Sequence, residues 1–386
     1  MTDMNILFLL HSYPKIGGIE VVTKTISGYL NNNHNLYYLS RVFDDSVMQK
    51  PSNCFYFKSK DKKESIDYFN YIIDKYKIDV VINQGPFLPY LSILENKDIK
   101  RKIKIFSFLH FSPGFEFEMI KYKWMTEKRP IKRLYKRIKT KLRLNTLQYN
   151  PGKIRSRYKQ LANISSHVIV LSEGYIKTFK DSYKLHDYSN IISIPNPSRY
   201  DNKEEINFSN KSKVVLFVGR LELESKRVDR LLDVWKNINN SEGWTLKIVG
   251  DGPCRQDLEQ KVVSEDIKNV MFLGQQNDIP SFYKEASVIA LTSSYEGQSL
   301  CFLEGIQFGT IPIAFDVSIG NKEILQPISN DLLITPFDIK EYSDQLNRII
   351  NDKDYRKNLF NKTLDESHKY SLESIGMIWE KLLLNK

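Results

Sequence analysis

Cysteine is scarce in this 386-residue chain, which contains only Cys54, Cys254 and Cys301. Three widely separated cysteines exclude a disulfide framework and a thiolate metal site, and they fit a reducing, cytoplasmic setting. The chain also lacks an apolar run long enough to cross a bilayer. Its first residues lack the basic start and the cleavage site of a signal peptide, so we expect no targeting segment.

Acidic residues are too few to balance the basic ones, which leaves a net charge of +11. Nearly the whole excess lies in residues 121–143, where eleven Lys or Arg residues stand against the single acid Glu127. Apolar residues recur there at helical spacing, at Ile131, Leu134, Ile138 and Leu142. This pattern predicts a basic amphipathic segment.

The basic segment 121–143 predicts contact with an anionic membrane surface, since each basic side chain near such a surface contributes about 1 kcal/mol. The protein would then be peripheral at the inner face of the cell membrane. A solvated helix face is the alternative. Nucleic acid is not expected as a partner, because no nucleic-acid-binding module surrounds the segment.

Apolar runs separated by helical segments extend along the whole chain. With 41% apolar and 27% charged residues, the chain suits a globular protein, and 386 residues suit two domains. Buried strands alternating with helices predict an α/β fold with doubly wound parallel sheets. A polar linker, 198–213, divides two such series, so we place one domain at 1–197 and the other after it.

The stretch Ser287–Phe315 reads as strand, loop, helix and strand. Ser299 is predicted to cap a helix that runs from about Leu300 to Phe308. The loop carries Glu296 and the helix carries Glu304. In α/β proteins such loops face the crevice that holds phosphorylated ligands.

Glu296 and Glu304 are candidate ligand-binding residues because an ionised carboxylate can accept hydrogen bonds from a vicinal diol. A nucleotide sugar has such hydroxyls on its ribose and on its hexose. The alternative is that Glu304 pairs with a surface lysine and that Glu296 merely follows a strand.

Two cations, Arg220 and Lys226, bracket an acidic loop after the strand 214–218. Two cations so placed could bind a diphosphate group. The alternative is a surface loop in which Arg220 and Lys226 form salt bridges with Glu222 and Glu224.

Two further candidates lie in the first half. Gly17 and Gly18 stand between the first strand and its helix, where a missing Cβ lets a ligand approach the backbone. By itself, a glycine pair more often marks a turn. His110 closes the predicted strand 103–109. A lone histidine in that position is more often a structural hydrogen-bonding residue.

The sequence motifs around Glu296 and Glu304 resemble the signature of retaining glycosyltransferase family four, the group 1 glycosyltransferases. Glu296-Gly297 and Glu304-Gly305 repeat with seven residues between the glutamates, and Ile311-Pro312-Ile313 follows. Gly250-Asp251-Gly252-Pro253 and Ile194-Pro195-Asn196-Pro197 resemble further elements of the family. The resemblance implies the GT-B fold, with two Rossmann-like domains, 1–197 and 198–367, facing a cleft. A C-terminal helix, 368–386, would pack back on the first domain.

The resemblance also implies a reaction. A hexose would move with retention from a nucleoside diphosphate sugar, UDP-linked, to a glycan or lipid-linked acceptor in cell-surface polysaccharide biosynthesis. Neither a cofactor nor a metal is expected, and Asp352-Lys353-Asp354 is interpreted as a solvated surface. The catalytic residues would be Glu296, His110, Arg220 and Lys226. The substrate-binding residues would be Gly17, Gly18, Gly297, Gln298, Ser299, Leu300 and Glu304, with the ribose on Glu304 and the sugar on Glu296.

Gln298 departs from the family pattern, which often has an aromatic residue there, so the identity of the donor sugar cannot be inferred from relatives.

Other functions stay open. A nucleotide-sugar epimerase of GT-B fold needs no acceptor, and the basic segment would then have no role. A non-catalytic membrane-surface binding protein would explain the charge but not the ligand loops. A phosphorylase would need a pyridoxal phosphate lysine, for which no motif is present.

Overall fold

The computed structural model describes residues 3–14, 17–42, 53–85, 91–95, 103–116, 151–202, 204–239 and 242–384. The chain divides into two units. Unit 1 comprises Met1–Pro197 and Ile375–Lys386, and unit 2 comprises Ser198–Ser374. The basic segment 121–143 lies outside the described residues, so its predicted membrane contact stays a prediction.

Strands and helices alternate through the described part of both units. The strands are β1 Asn5–Ser12, β2 Asn35–Val42, β3 Cys54–Tyr56, β4 Val80–Asn83, β5 Lys104–Phe108, β6 His167–Val170, β7 Ile191–Ser193, β8 Ser212–Val218, β9 Thr245–Val249, β10 Val270–Gly274, β11 Ala286–Leu291, β12 Ile311–Phe315 and β13 Leu333–Ile334. The helices are α1 Gly18–Leu30, α2 Lys62–Lys75, α3 Leu91–Leu94, α4 Pro151–Ile164, α5 Glu173–Tyr183, α6 Val228–Lys236, α7 Arg255–Ser264, α8 Ile279–Glu285, α9 Leu300–Ile306, α10 Ile319–Leu325, α11 Ile339–Asn351, α12 Lys353–Ser367 and α13 Leu372–Leu384.

Each unit contains one parallel sheet. The order in unit 1 is β3-β2-β1-β4-β5-β6-β7, and the order in unit 2 is β10-β9-β8-β11-β12-β13. The central strands are almost entirely buried; β11 has no exposed residue, and the core of β1 is likewise inaccessible. Apolar runs without alternation suit strands that are covered on both faces. The predicted α/β fold with parallel sheets is therefore confirmed.

Helix α13 packs within unit 1. A Cβ at Gly376 would lie 2.5 Å from the Tyr29 ring, so only glycine allows this approach of α13 to α1. His34 Nδ1 accepts the Met4 backbone N–H, so its Nε2 carries hydrogen and donates to Glu380 at 2.9 Å. These contacts hold the C-terminal helix against α1 and the turn that follows α1.

The structure corrects three sequence predictions about element bounds. Strands β3 and β13 were not predicted, because edge strands of three and two residues carry too little pattern. Helix α9 ends at Ile306 rather than Phe308, because the Phe308 and Gly309 amides turn back to the carbonyls of Gly305 and Ile306. Residues 368–374 belong to unit 2, where the Tyr370 carbonyl accepts the Ser198 amide at 2.8 Å.

Candidate functional site

The loop that carries Arg220 is packed against the Gly250–Pro253 turn. The Gly219 amide donates to the Val249 carbonyl at 3.0 Å, and the Leu221 amide donates to the Asp251 carbonyl at 2.9 Å. Gly250 has a φ of +129°, and a Cβ there would lie 1.9 Å from the Gly219 oxygen. Glycine at this position is therefore a steric requirement of the loop that positions Arg220.

Arg220 itself is open to solvent. Its side chain is 71% exposed, and its only ion pair among the described residues is a 3.7 Å contact with Glu222. Such a pair at high dielectric contributes little, so the guanidinium is available to an anionic ligand. The predicted surface salt bridge of Arg220 is present, but it is weak.

Lys226 and Glu296 meet between the loops that follow β8 and β11. Lys226 Nζ lies 2.7 Å from Glu296 Oε1, which also accepts the Ser293 hydroxyl at 2.6 Å. β8 and β11 are parallel neighbours, so their carboxyl ends share one edge of the sheet. The Ser294 amide ties the two loops further by donating to the Ser225 carbonyl at 2.7 Å.

The alternative prediction for Lys226, a salt bridge within its own acidic loop, is wrong because Glu296 is its ion-pair partner. Burial lowers the pKa of Lys226, but the Glu296 carboxylate outweighs burial, and the net pKa is raised. The ammonium is therefore charged at neutral pH. This places one fixed cation beside one carboxylate at the strand edge.

The residues between Glu296 and α9 are fixed by the start of α10. The Ser318 hydroxyl donates to the Gly297 carbonyl at 2.7 Å, and Asn321 Oδ1 accepts the Ser299 amide at 2.9 Å. A Cβ at Gly320 would lie 2.2 Å from the Gly297 oxygen. Gln298 is buried in this loop and Leu300 begins α9, so these predicted substrate-binding residues belong to a rigid segment.

Ser299 occupies the predicted N-cap position of α9, but its hydroxyl makes no hydrogen bond with any residue that the structure describes. Its amide donates to Asn321 Oδ1, on α10, at 2.9 Å. The contact of Ser299 with a substrate stays a prediction.

Glu304 lies on α9 and is buried, with 4% exposure. Arg199 Nε lies 2.7 Å from its Oε1, and the Tyr283 hydroxyl donates to its Oε2 at 2.7 Å. Burial raises the pKa of Glu304, while Arg199 and Tyr283 act in the opposite direction. The alternative of a surface lysine partner is therefore wrong. Sequence reasoning missed Arg199, because it is 105 residues away and lies in a stretch interpreted only as linker.

The glycine pair lies in unit 1 at the start of α1. Gly17 is the N-cap residue and Gly18 is the first helical residue. A Cβ at Gly17 would lie 2.4 Å from Glu20 Oε2, so the Glu20 carboxylate occupies the space beside this glycine. The Ser12 hydroxyl donates to the other Glu20 oxygen at 3.1 Å. An acid at a helix N-terminus is electrostatically favoured.

His110 follows β5 in unit 1 and forms a hydrogen bond with the Gln84 side chain. Its ring lies 4.2 Å from the ring of Phe108. Burial lowers the pKa of His110 to about 3, with the Asn196 side chain acting in the opposite direction. The imidazole is therefore neutral at physiological pH. Gln84 follows the neighbouring strand β4, and sequence reasoning did not single it out.

The structure thus brings Lys226 and Glu296 into contact in unit 2, with Arg220 on the same β8 loop and Glu304 on the helix that follows the Glu296 loop. Gly17, Gly18 and His110 follow strands of the unit 1 sheet. Among the described residues, no group of three His, Cys, Asp or Glu side chains has the arrangement to hold a metal ion. No helix within the described ranges has the length and apolarity that spanning a membrane requires.

Known proteins resemble this chain in sequence. A family model described as glycosyl transferases group 1 matches residues 198–364. The amylovoran biosynthesis glycosyltransferase AmsD of Erwinia amylovora is 30% identical over 227 residues, which are 57% of this chain and 62% of that protein. A second relative is the Campylobacter jejuni GalNAc-alpha-(1->4)-GalNAc-alpha-(1->3)-diNAcBac-PP-undecaprenol alpha-1,4-N-acetyl-D-galactosaminyltransferase. It is 31% identical over 192 residues, 49% of this chain and 53% of that protein.

The chain therefore spans a little over half of the length of these two relatives. Among solved structures, Anabaena Alr3699/HepE in complex with UDP superposes with a TM-score of 0.75 over 98% of this chain and 99% of that chain. At 17% identity this likeness shows the fold alone, and it confirms the predicted GT-B fold. Residues 198–364 of this chain are therefore similar to the group 1 glycosyl transferases.

Proposed function

We propose that this chain is a retaining glycosyltransferase that moves a hexose from a UDP-linked sugar to a glycan or lipid-linked acceptor. The observation that carries the proposal is the Lys226–Glu296 contact of 2.7 Å at the shared edge of β8 and β11. A cation and a carboxylate fixed side by side suit a ligand that has both a diphosphate and sugar hydroxyls.

The diphosphate is assigned to the two cations of unit 2. Arg220 is exposed and only weakly paired, so its guanidinium can bind phosphate oxygens in the bidentate manner that arginine favours. Lys226 adds a point charge with a raised pKa. As the glycosidic bond breaks, charge accumulates on the leaving diphosphate, and fixed cations lower the energy of that transition state.

The hydroxyls are assigned to the two glutamates. Glu296 Oε2 has no hydrogen-bond partner among the described residues, so it can accept a hydroxyl of the transferred sugar. Glu304 is assigned to the ribose. Because Lys226 binds Glu296 directly, the sugar and diphosphate positions are coupled through this ion pair. His110, Gly17 and Gly18, in unit 1, remain predicted contributors.

The acceptor class and the membrane location are proposed on two grounds. The name of the Campylobacter relative specifies a PP-undecaprenol acceptor, and AmsD is named for amylovoran biosynthesis. The basic segment 121–143 suits an anionic membrane surface. We therefore propose peripheral action at the cytoplasmic membrane face on a lipid-linked glycan. Retention and independence from a metal follow the family resemblance, with Arg220 and Lys226 supplying the positive charge.

A panel of nucleotide sugars incubated with lipid-linked acceptors tests the proposal. We expect one UDP-sugar to be consumed with product formation, in buffer that contains EDTA, and NMR to show a retained anomeric configuration. Arg220→Ala should lower kcat/KM on the order of 100-fold. Arg348→Ala is the matched control, because Arg348 is likewise an exposed arginine paired with an acid.

Three results would contradict the proposal. The first is near-normal transfer by Arg220→Ala. The second is conversion of the nucleotide sugar to another sugar nucleotide without any acceptor, which would favour the epimerase alternative. Salt-sensitive vesicle binding without affinity for any nucleotide sugar would instead favour a non-catalytic membrane-surface protein.

A further inference from the structure

The carboxylate of Glu304 is already heavily engaged within unit 2. Arg199 Nε contacts Oε1 at 2.7 Å. The other oxygen, Oε2, accepts the Tyr283 hydroxyl at 2.7 Å and Arg199 Nη2 at 3.4 Å. An ionised carboxylate has about four acceptor positions, two on each oxygen. The two hydrogen bonds to Oε2 use both of its acceptor positions, and Arg199 Nε forms an ion pair with Oε1.

The donors around Glu304 are themselves held in place. The Arg199 guanidinium lies over the Tyr200 ring at 4.5 Å from its centroid. The backbone before it is anchored, because the Ser198 amide donates to the Tyr370 carbonyl at 2.8 Å and the Ser198 hydroxyl donates to the Tyr200 carbonyl at 3.0 Å. An arginine that is stacked and anchored in this way does not leave its partner without an energetic cost.

Tyr283 is fixed more firmly still. Its side chain is completely buried, and its ring stacks on Phe308 with centroids 6.0 Å apart. The Glu304 side chain is only 5% exposed. A ligand therefore meets a carboxylate with a small open area, and Oε1 is the oxygen that accepts no hydrogen bond from the described residues.

We propose that Arg199 is a positioning residue that restricts Glu304 to one hydrogen bond from the ligand, so that Glu304 binds a single ribose hydroxyl. This inference rests on the proposed function, which assigns the ribose to Glu304. It differs from a carboxylate that takes both hydroxyls of a diol. Arg199 thereby decides which hydroxyl of the donor nucleotide contributes to its affinity.

Deoxynucleotides test the proposal directly. Isothermal titration calorimetry on the full chain compares UDP with 2′-deoxy-UDP and 3′-deoxy-UDP. We expect one deoxynucleotide to bind on the order of 10- to 100-fold more weakly than UDP, as for the loss of one hydrogen bond to a charged group. The other should bind within about threefold of UDP, because it lacks a hydroxyl that Glu304 does not contact.

Substitution of Arg199 should change the ratio of deoxynucleotide affinity to UDP affinity. A merely structural role of Arg199 would leave this ratio unchanged. In Arg199→Met, acceptor positions on both Glu304 oxygens become vacant, so both deoxynucleotides should bind more weakly than UDP. Arg199→Lys keeps the charge but loses the two-point contact, and it should show the same change to a smaller extent. Arg348→Met is the control, and its ratios should match those of the wild type.

Either of two results for the wild type overturns the proposal, namely equal weakening of both deoxynucleotides or weakening of neither. A parallel loss of affinity for all three nucleotides in both Arg199 variants, with unchanged ratios, also overturns it. Failure of the proposed function is distinguishable, because the wild type would then not bind UDP at all.

Discussion

Lys226 Nζ and Glu296 Oε1 are 2.7 Å apart, although 70 residues separate them in the chain. Their side chains are 23% and 11% exposed, so the pair is largely removed from water. Because the loops that carry them follow adjacent parallel strands, the two side chains meet without any local sequence relationship.

Breaking this pair should reduce both stability and activity. Lys226→Met leaves Glu296 without its cation, and we expect a loss of about 2 kcal/mol, below the cost for fully buried pairs because some exposure remains. We expect kcat/KM to fall on the order of 100-fold. Urea unfolding and transfer assays measure the two effects. Lys340→Met removes an exposed lysine paired with Asp344 and should change stability by less than about 0.5 kcal/mol.

The sign of the pH dependence follows from the raised pKa of Lys226. The pair's contribution to stability should be fully present below the ordinary lysine pKa of 10.5 and be lost as the pH rises through the folded-state pKa.

The double variant Lys226→Met with Glu296→Gln should be more stable than Lys226→Met alone. Additive losses in the double variant would show that the two residues are not coupled.

Gly250→Ala should displace the loop that carries Arg220. The added Cβ would lie 1.9 Å from the Gly219 oxygen. In addition, residue 250 has a φ of +129°, a backbone angle that residues other than glycine rarely adopt. We expect a loss of stability of at least about 2 kcal/mol and a weaker affinity for UDP. Thermal unfolding and calorimetry measure these quantities.

The matched control for that variant is Gly28→Ala. Gly28 lies inside α1, and an added Cβ would have no neighbour within 4 Å. Alanine should therefore stabilise the chain by about 0.5–1 kcal/mol through its higher helix propensity. Equal effects of the two substitutions would contradict the steric role assigned to Gly250.

Because of Lys211, we expect the free energy of unfolding to change with pH between about pH 7 and pH 10.5. Its Nζ donates to the Tyr283 carbonyl at 2.8 Å and to the Thr310 hydroxyl at 3.2 Å. Burial lowers its pKa from 10.5 to about 7. Between these values the unfolded chain binds the proton and the folded chain does not, so stability should rise with pH, by about 1.4 kcal/mol per pH unit at most.

Urea unfolding at several pH values between these limits checks this expectation. The stability of Lys211→Met relative to the wild type should decrease as the pH rises from 7 toward 10.5. Lys213→Met is the control, since Lys213 is exposed and lies two residues further along. Parallel stability curves for the wild type and Lys211→Met would rule out the assigned role of burial.

His110 should stay neutral across the physiological range. Burial lowers its pKa from 6.5 to about 3, so its imidazole NMR signals should not titrate between about pH 5 and pH 8. Because the folded pKa is depressed, His110 should reduce stability as the pH falls from 6.5 toward 3. His110→Gln assigns the resonance, and a signal that titrates near 6.5 would contradict the prediction.

Much of the fold could be predicted from the sequence, because long buried strands leave continuous apolar runs. The runs at β8, β11 and β12 were found within two residues of their bounds. β3 and β13 were missed, since strands of three and two residues contain too few positions for a pattern. The α9 C-terminus was misplaced because Gly309, a residue type typical of helix ends, lies beyond the turn that follows Ile306.

The candidate site was predictable only in its residue types. The sequence indicated Glu296, Glu304, Arg220 and Lys226 from strand ends and from the family signature, but it did not indicate their partners. Arg199 lies in a polar stretch whose composition indicates a linker and nothing more. Arg199 and Glu304 are 105 residues apart in the chain, and their contact depends on the tertiary fold, which no local sequence pattern specifies.

The parallel α/β architecture, the order of loops and the residues at the ends of strands could all be predicted from the sequence, because they follow from apolar periodicity and local backbone preferences. The pairing of charges could not be predicted, because it depends on the folded chain. Lys226 meets Glu296 and Arg199 meets Glu304 because adjacent strands and anchored loops bring them together. The energy of such pairs depends on distance and burial, and both quantities exist only once the chain has folded.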